Sequence, residues 1–324
     1  MLSNIPSQEE LQGDLVIKPA QSNANQTVPH VTVVTVCFNI LKAGRRELLT
    51  KNLDSVQAQK GVVLEHLIVD GASTDGTPEF LEAYQNANHE MRILSKADSG
   101  IYDAMNRGIA LARGKYVVFL NSDDHYHDEN GLAASMKAME ESGSSFSFAP
   151  ILAEKTNGML RRRRPQQRLH KAFLYNVICH QSMMFRKDDL FSMGGYDLAY
   201  RIASDYDLMM RLIASGHKGC FVDHPFVTFL EGGFAMQNKK QNMNEKARIT
   251  RNFHREAFGL DLSEEECLYL VRKCKYPRRL LSVYVRSQHL KEHAFVGLPQ
   301  DFTSRLVRCL NFAKYWLRCC LSFS

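Results

Sequence analysis

The sequence predicts an α/β fold: a mostly parallel sheet flanked by helices, followed by a helical, basic C-terminal tail. Three observations carry this. Short β-branched runs are apolar on both faces, as strands buried in a parallel sheet are. These runs alternate with segments of helical period at the spacing of βαβ units. Polar clusters stand at the ends of the runs, where such sheets bind their ligands.

Residues 1–29 carry turn formers and amides, among them Ser22, Asn23, Asn25 and Pro29, with no sustained period. They predict a loose extension. The run from Val31 to Phe38 predicts the first strand, and Leu49, Leu53 and Val56 predict a helix over 45–59. Val62 to Val69 reads as the second strand, with Thr77 as cap and Pro78 as first residue of the next helix. A short third strand is expected at Met91 to Leu94. The clearest helix follows, with Ile101, Ala104, Met105, Gly108, Ile109 and Ala112 on one stripe. Asp98 or Ser99 would cap it and Gly114 would stop it. Tyr116 to Leu120 is the fourth strand. Further on, 146–151, 183–186 and 220–229 are strand candidates, and Arg161 to Pro165 is a basic loop. Segments 204–215, 242–258 and 262–275 are expected to be helical.

The net charge is +6, but it is unevenly spread. From Val271 onward eleven basic residues face only Glu292 and Asp301, so the rest of the chain is mildly acidic. Such a block marks a surface for an anionic partner. In 303–323, Leu306, Cys309, Leu310, Ala313, Leu317, Cys320 and Leu321 share one stripe and Arg305, Arg308 and Arg318 another. That pattern reads as an interfacial membrane helix, with packing on the body as the alternative. No apolar run approaches the roughly 18–20 residues of a membrane span. The first residues lack the basic start and apolar stretch of a secretory signal. A cytoplasmic location is therefore expected, or a peripheral one on the inner face of the membrane. The eight scattered cysteines form no Cys-x-x-Cys pair and read as reduced thiols.

Asp123 and Asp124 carry the strongest chemical signal. Adjacent carboxylates after a buried strand repel each other and lose hydration, and a hard divalent cation relieves both. A solvated turn is the plainer alternative. Asp70 to Thr77 is rich in backbone donors. It suits a helix-capping turn, and also a hydrogen bond from Asp70 to a base or ribose. Neither a P-loop nor a Gly-x-Gly-x-x-Gly motif occurs. In the helix from Ser204, Asp205 projects on the side of Leu208, Met209, Leu212 and Ile213, whereas Asp207 pairs with Arg211 on the outer face. An inward carboxylate there is either a buried cap or a general base.

Five segments together resemble glycosyltransferase family two, over about residues 30–258. They are Val33 to Asn39 (VVTVCFN), Val69 to Thr77 (VDGASTDGT), Asp98 to Gly108 (DSGIYDAMNRG), Phe119 to Asp124 (FLNSDD) and Ala203 to Leu208 (ASDYDL). The nearest likeness is to bacterial exopolysaccharide and O-antigen sugar transferases of the colanic-acid type. The resemblance implies a GT-A fold over 30–258, with 259–324 as a basic helical tail. It implies that Asp70 contacts the nucleotide base, Asp123 binds the ribose, and Asp124 ligates Mg²⁺ or Mn²⁺. Asn39, Asp98, Tyr102 and Asn106 would line the donor pocket, and Asp205 would be the catalytic base. His180, Gln181, Gly232 and Gly233 resemble segments on the acceptor side.

The implied reaction is an inverting transfer from a nucleoside-diphosphate sugar to a hydroxyl of a lipid-linked or growing surface glycan. Departures from the pattern are Gly71 in place of a second Asp, Ser204 where Glu is common, and Ala235 where a serine is expected. They keep open an inactive sugar-nucleotide-binding protein. A nucleic-acid-binding protein is a weaker alternative: the tail is basic, but no recognised module or aromatic sheet face accompanies it, and no nucleic-acid partner is expected.

Overall fold

A computed structural model describes residues 4–12, 28–87, 91–165, 167 and 178–273. In chain order they form α1 (Gln8–Gln12), β1 (Val31–Cys37), α2 (Arg46–Gln57), β2 (Leu64–Asp70), α3 (Thr77–Ala87) and β3 (Met91–Ser95). Then come α4 (Ile101–Leu111), β4 (Tyr116–Phe119), β5 (His125–Tyr126), α5 (Gly131–Ser142), β6 (Phe146–Phe148) and β7 (Ile151–Glu154). The remainder comprises β8 (Leu160–Arg163), β9 (Met183–Arg186), α6 (Lys187–Ser192), α7 (Ser204–Ala214), β10 (Gly219–Phe221) and β11 (Val227–Leu230). Helices α8 (Phe234–Gln237), α9 (Lys239–Phe258) and α10 (Glu264–Lys273) complete it. The stripe at 303–323 lies outside the described residues.

Seven strands form the main sheet in the order β10-β6-β9-β4-β1-β2-β3. The pairs β4–β1, β1–β2 and β2–β3 are parallel, whereas β9 runs antiparallel to both β4 and β6. All seven residues of β1 are buried. Its apolar side chains alternate: Val34 and Val36 enter the core beneath α4 and α7, and Val31 and Val33 enter the opposite core with Leu132 and Met139 of α5. The buried threonines of β1 are satisfied sideways, Thr32 Oγ1 donating to Glu65 Oε2 at 2.8 Å. This is why a strand covered on both faces tolerates hydroxyls. Gly108 lets α4 approach β1, because a Cβ there would stand 2.4 Å from Val34 Cγ1.

A second sheet has the order β5-β11-β7-β8. Sequence alone suggests single strands at 146–151 and 220–229, and both are split. Pro150 follows β6 and Pro225 precedes β11, and a residue without an N–H interrupts a ladder. At each break the chain crosses from the main sheet to the second.

Four further expectations are corrected. The 1–29 extension holds α1, whose Ser7 and Glu10 satisfy each other's N–H groups at 2.8 and 3.2 Å, with Ile5 and Leu11 buried. Arg161 to Arg163 belong to an edge strand, not a loop, because β8 pairs with β7. Helix α4 is capped by Gly100 (φ 135°) and ends before Gly114, while Asp103 accepts the Ser99 N–H at 2.9 Å. At α3 the Asp75 carboxylate takes the Thr77 N–H at 3.1 Å, freeing the Thr77 hydroxyl to accept the Ile40 N–H.

The close approach of α4 gives a stability prediction. Gly108→Val should lower unfolding stability by about 1–3 kcal/mol in denaturant titration, through overpacking against Val34. Unchanged stability would contradict the contact.

Candidate active site

The carboxyl ends of β1, β2 and β4 lie side by side, and the segments that follow them build a rim. Asn39 follows β1 with φ 49°, a left-handed conformation that Asn tolerates. Its N–H donates to Ser73 Oγ at 2.7 Å and its Oδ1 accepts the Thr74 N–H at 3.0 Å. Asn39 thus ties two loops together. Asp70 is fully buried, and its carboxylate accepts the Ser73 N–H (2.9 Å), Ser73 Oγ (2.5 Å) and Ser95 Oγ (2.6 Å). It faces into the protein and holds the rim from beneath. Asn106 is also fully buried, exchanging hydrogen bonds of 2.9 and 2.8 Å with the Tyr196 backbone. Neither Asp70, Asn39 nor Asn106 lines the cleft.

Asp98 does line it. A Cβ on Gly71 would sit 2.7 Å from Asp98 Oδ2 and 3.2 Å from the Phe38 ring. The missing side chain at 71 therefore makes room for the Asp98 carboxylate. Burial raises the pKa of that group, against the Gly100 N–H and Arg107.

Asp123 and Asp124 occupy the turn after β4. Asn52 of α2 pins this turn, its Nδ2 donating to the carbonyls of Asn121 and Asp124, each at 2.9 Å. Asp123 faces the cleft with Arg45 Nη1 at 3.4 Å. Asp124 lies in the wall below. Its Oδ1 accepts the Leu230 N–H at 2.9 Å, while its buried Oδ2 has no hydrogen-bond partner among the described residues. Burial raises both carboxyls above their ordinary range, and Asp123 adds to the rise at Asp124. Arg45 opposes it at Asp123, and the Leu230 N–H and Gln181 oppose it at Asp124. An unsatisfied buried carboxylate oxygen fits a divalent cation. Among the described residues no group of three or more His, Cys, Asp or Glu surrounds one point. A cation there would draw most of its oxygen ligands from a bound substrate and water.

Asp205 stands in the first turn of α7, turned inward as its spacing indicates. Tyr102 Oη lies 3.2 Å from Asp205 Oδ1 and 2.8 Å from the Ile202 carbonyl, and His180 Nδ1 lies 3.6 Å from Asp205 Oδ2. Burial alone would raise the Asp205 pKa, but hydrogen bonding and charge from His180, with Lys246, bring it below the ordinary value. Asp207 does pair with Arg211, at 2.7 Å, yet both are largely buried, because Arg211 also donates to the Met193 and Gly195 carbonyls. Asp205, His180, Gln181, Asp123 and Gly233 line one cleft of about 530 Å³. Gly232 precedes it with φ 102°, turning the chain into α8. Leu230, whose N–H donates to Asp124, lines the same cleft as Asp205, which puts the two carboxylates on the same side of the molecule.

Sequence reasoning missed several residues here. Glu245 of α9 accepts the Ile202 and Ala203 N–H groups at 2.8 and 3.1 Å and so fixes the entry to α7. Nothing local distinguishes it from other polar residues of that helix. Arg45, Arg163, Arg164 and Arg201 also line the cleft. Of these only the arginine run 161–164 was visible in the sequence, as a basic loop.

A model of the glycosyl transferase family 2 domain matches residues 32–200, more than half of the chain. The chain belongs to glycosyl transferase family 2. A PGL/p-HBAD biosynthesis glycosyltransferase of Mycobacterium bovis is 32% identical to this family 2 chain over 165 residues, 50% of this chain and 63% of the relative. The match thus spans less than two thirds of that relative's length. The structure of S. aureus TarS 1-349 in complex with UDP-GlcNAc matches with a TM-score of 0.58 at 17% identity, covering 88% of this chain and 87% of that one. The mannosyltransferase PcManGT from Pyrobaculum calidifontis, in complex with GDP-Man and Mn²⁺, matches with a TM-score of 0.54 at 17% identity, covering 89% and 75%. The likeness at these identities is one of fold: this family 2 chain has the GT-A architecture.

Removing the Glu245 carboxylate leaves two buried N–H groups unpaired. Glu245→Ala should cost about 1–3 kcal/mol in chemical denaturation. A loss below that range would mean that the entry to α7 is held by other contacts.

Proposed function

We propose that the chain is an inverting, divalent-metal-dependent glycosyltransferase. It takes a nucleoside-diphosphate sugar as donor and a hydroxyl of a lipid-linked or growing surface glycan as acceptor. The observation that carries this is one cleft bearing Asp123 at its wall, Asp124 just beneath, and Asp205 paired with His180. Mg²⁺ or Mn²⁺ would be held by Asp124, whose Oδ2 has no hydrogen-bond partner among the described residues, with Asp123 beside it on the ribose. A cation bound there supplies Lewis acidity that offsets the charge growing on the leaving diphosphate.

Asp205 accepts the proton of the attacking hydroxyl. Its lowered pKa keeps it ionised at neutral pH, and Tyr102 and His180 hold it in place. A single base and a single displacement give inversion, with no second carboxylate acting as nucleophile. His180, Gln181 and Gly233 are assigned to the acceptor side, and Asp98 with Phe38 to the nucleoside. Asp70 and Asn39 support the donor site from beneath, through the loops they tie. The acceptor class follows from the motif resemblance to exopolysaccharide and O-antigen transferases and from the basic segment after Val271. With such an acceptor the protein would work at the cytoplasmic face of a membrane. Among the described residues no helix is long and apolar enough to cross one.

The test is donor turnover across a panel of nucleotide sugars. Asp205→Asn should lower kcat by about 10²–10⁴ while nucleoside-diphosphate affinity stays within a few-fold. Full activity in that variant would refute the assignment. The pH profile gives a second test. His180→Gln removes the group that holds the Asp205 pKa down, so the acid limb of kcat/KM should move to higher pH. An unmoved limb would separate His180 from the base.

A further inference from the structure

Four arginines line the main cleft: Arg45, Arg163, Arg164 and Arg201. Three have a carboxylate partner, with Arg164 sharing Asp223 with Arg162. Arg45 meets Asp123 at 3.4 Å, Arg163 pairs with Glu231 and Arg164 with Asp223. Arg201 is exposed, and no carboxylate pairs with it among the described residues. It is the uncompensated guanidinium of this group.

Its position is more telling than its charge. A second cavity of about 400 Å³, walled by Phe38, Asp98 and Tyr200, adjoins the main cleft. The two share six lining residues: Val36, Ile101, Tyr102, Ser122, Arg201 and Phe234. Arg201 is the sole cation among those six. If the cleft containing Asp205 takes the sugar and acceptor and the other cavity takes the base, the ribose and diphosphate run from the junction into the cleft, past Arg201 and toward Asp123.

We propose that Arg201 is the cationic partner of the donor diphosphate. This rests on the cleft being a nucleotide-sugar site and adds a residue that neither the motifs nor the resemblance assigned. In the transfer, the anomeric carbon–oxygen bond to the diphosphate breaks and its electron pair stays on the terminal phosphate. The acceptor oxygen bonds to the anomeric carbon, and its proton passes to Asp205. Arg201 exchanges no proton. Its fixed charge and forked N–H groups meet the oxygens on which negative charge accumulates. The backbone beside it is held on two sides: Glu245 takes the Ile202 and Ala203 N–H groups, and Tyr102 Oη donates to the Ile202 carbonyl. The guanidinium therefore works from a fixed base, which lowers the ordering cost of engaging an anion.

The experiment compares wild type, Arg201→Gln and Arg201→Lys by calorimetric titration and donor turnover. The probes are UDP, GDP, CDP, ADP and dTDP with their monophosphates. The wild type should bind at least one diphosphate. Arg201→Gln should weaken it roughly tenfold or more, with the matching monophosphate affected far less, and should lower kcat by about 10²-fold. Arg201→Lys, which keeps the charge but not the fork, should recover part of both. Arg201 is exposed, so equal thermal midpoints in all three proteins are expected. Unchanged diphosphate affinity and turnover in Arg201→Gln overturns the proposal alone and leaves the cleft's function standing. Equal weakening of mono- and diphosphate also overturns it, since that would be a structural effect. A wild-type protein that binds no nucleotide of the panel overturns the underlying site reading and this proposal together.

Discussion

Two carboxylates side by side in a buried turn repel each other, and neither is well hydrated. Asp123 and Asp124 are in that condition: burial raises both pKa values, and Asp123 raises that of Asp124 further. The surrounding fold is organised to tolerate this. Asn52 holds the turn by two backbone carbonyls, Arg45 sits against Asp123, and the Leu230 N–H takes one oxygen of Asp124. One oxygen is still left without a hydrogen-bond partner among the described residues. A buried polar atom kept unsatisfied costs stability, a cost that the cation of the proposed function would offset.

The second half of the chain closes the site from the other side. At Pro150 and again before β11 the chain leaves the main sheet and joins the smaller one. That brings Leu230 to Asp124, and Arg163 of β8 with Arg164 after it to the cleft rim. Helix α7 adds Asp205, and α9 fixes the entry to α7 through Glu245. The cleft therefore depends on contacts such as Asp124–Leu230 and Tyr102–Asp205, between groups about a hundred residues apart in the chain.

That separation explains what was legible in advance. The strands β1, β2 and β4 announce themselves because a strand buried on both faces is mostly apolar, with its few polar side chains, such as Thr32 and Glu65, paired sideways. Asp205 was readable because its offset from Leu208 and Met209 fixes the face it occupies. The inward positions of Asp70 and Asn106 were not readable. Their partners, Ser95 and the Tyr196 backbone, are brought to them only by tertiary packing. The α1 capping box from Ser7 to Glu10 is present in the sequence, but in a stretch whose amides and turn formers predict a loose extension. Arg201 carries no local signal, since its meaning lies in the meeting of two cavities.

The most direct test of the account is calorimetric titration of UDP and GDP with and without Mn²⁺, on wild type and on Asp124→Asn. Binding that strengthens with Mn²⁺ in the wild type, and loses that dependence in Asp124→Asn, is the result this account predicts. Metal-independent binding in the wild type, or an Asp124→Asn protein that keeps the full Mn²⁺ effect, would contradict it.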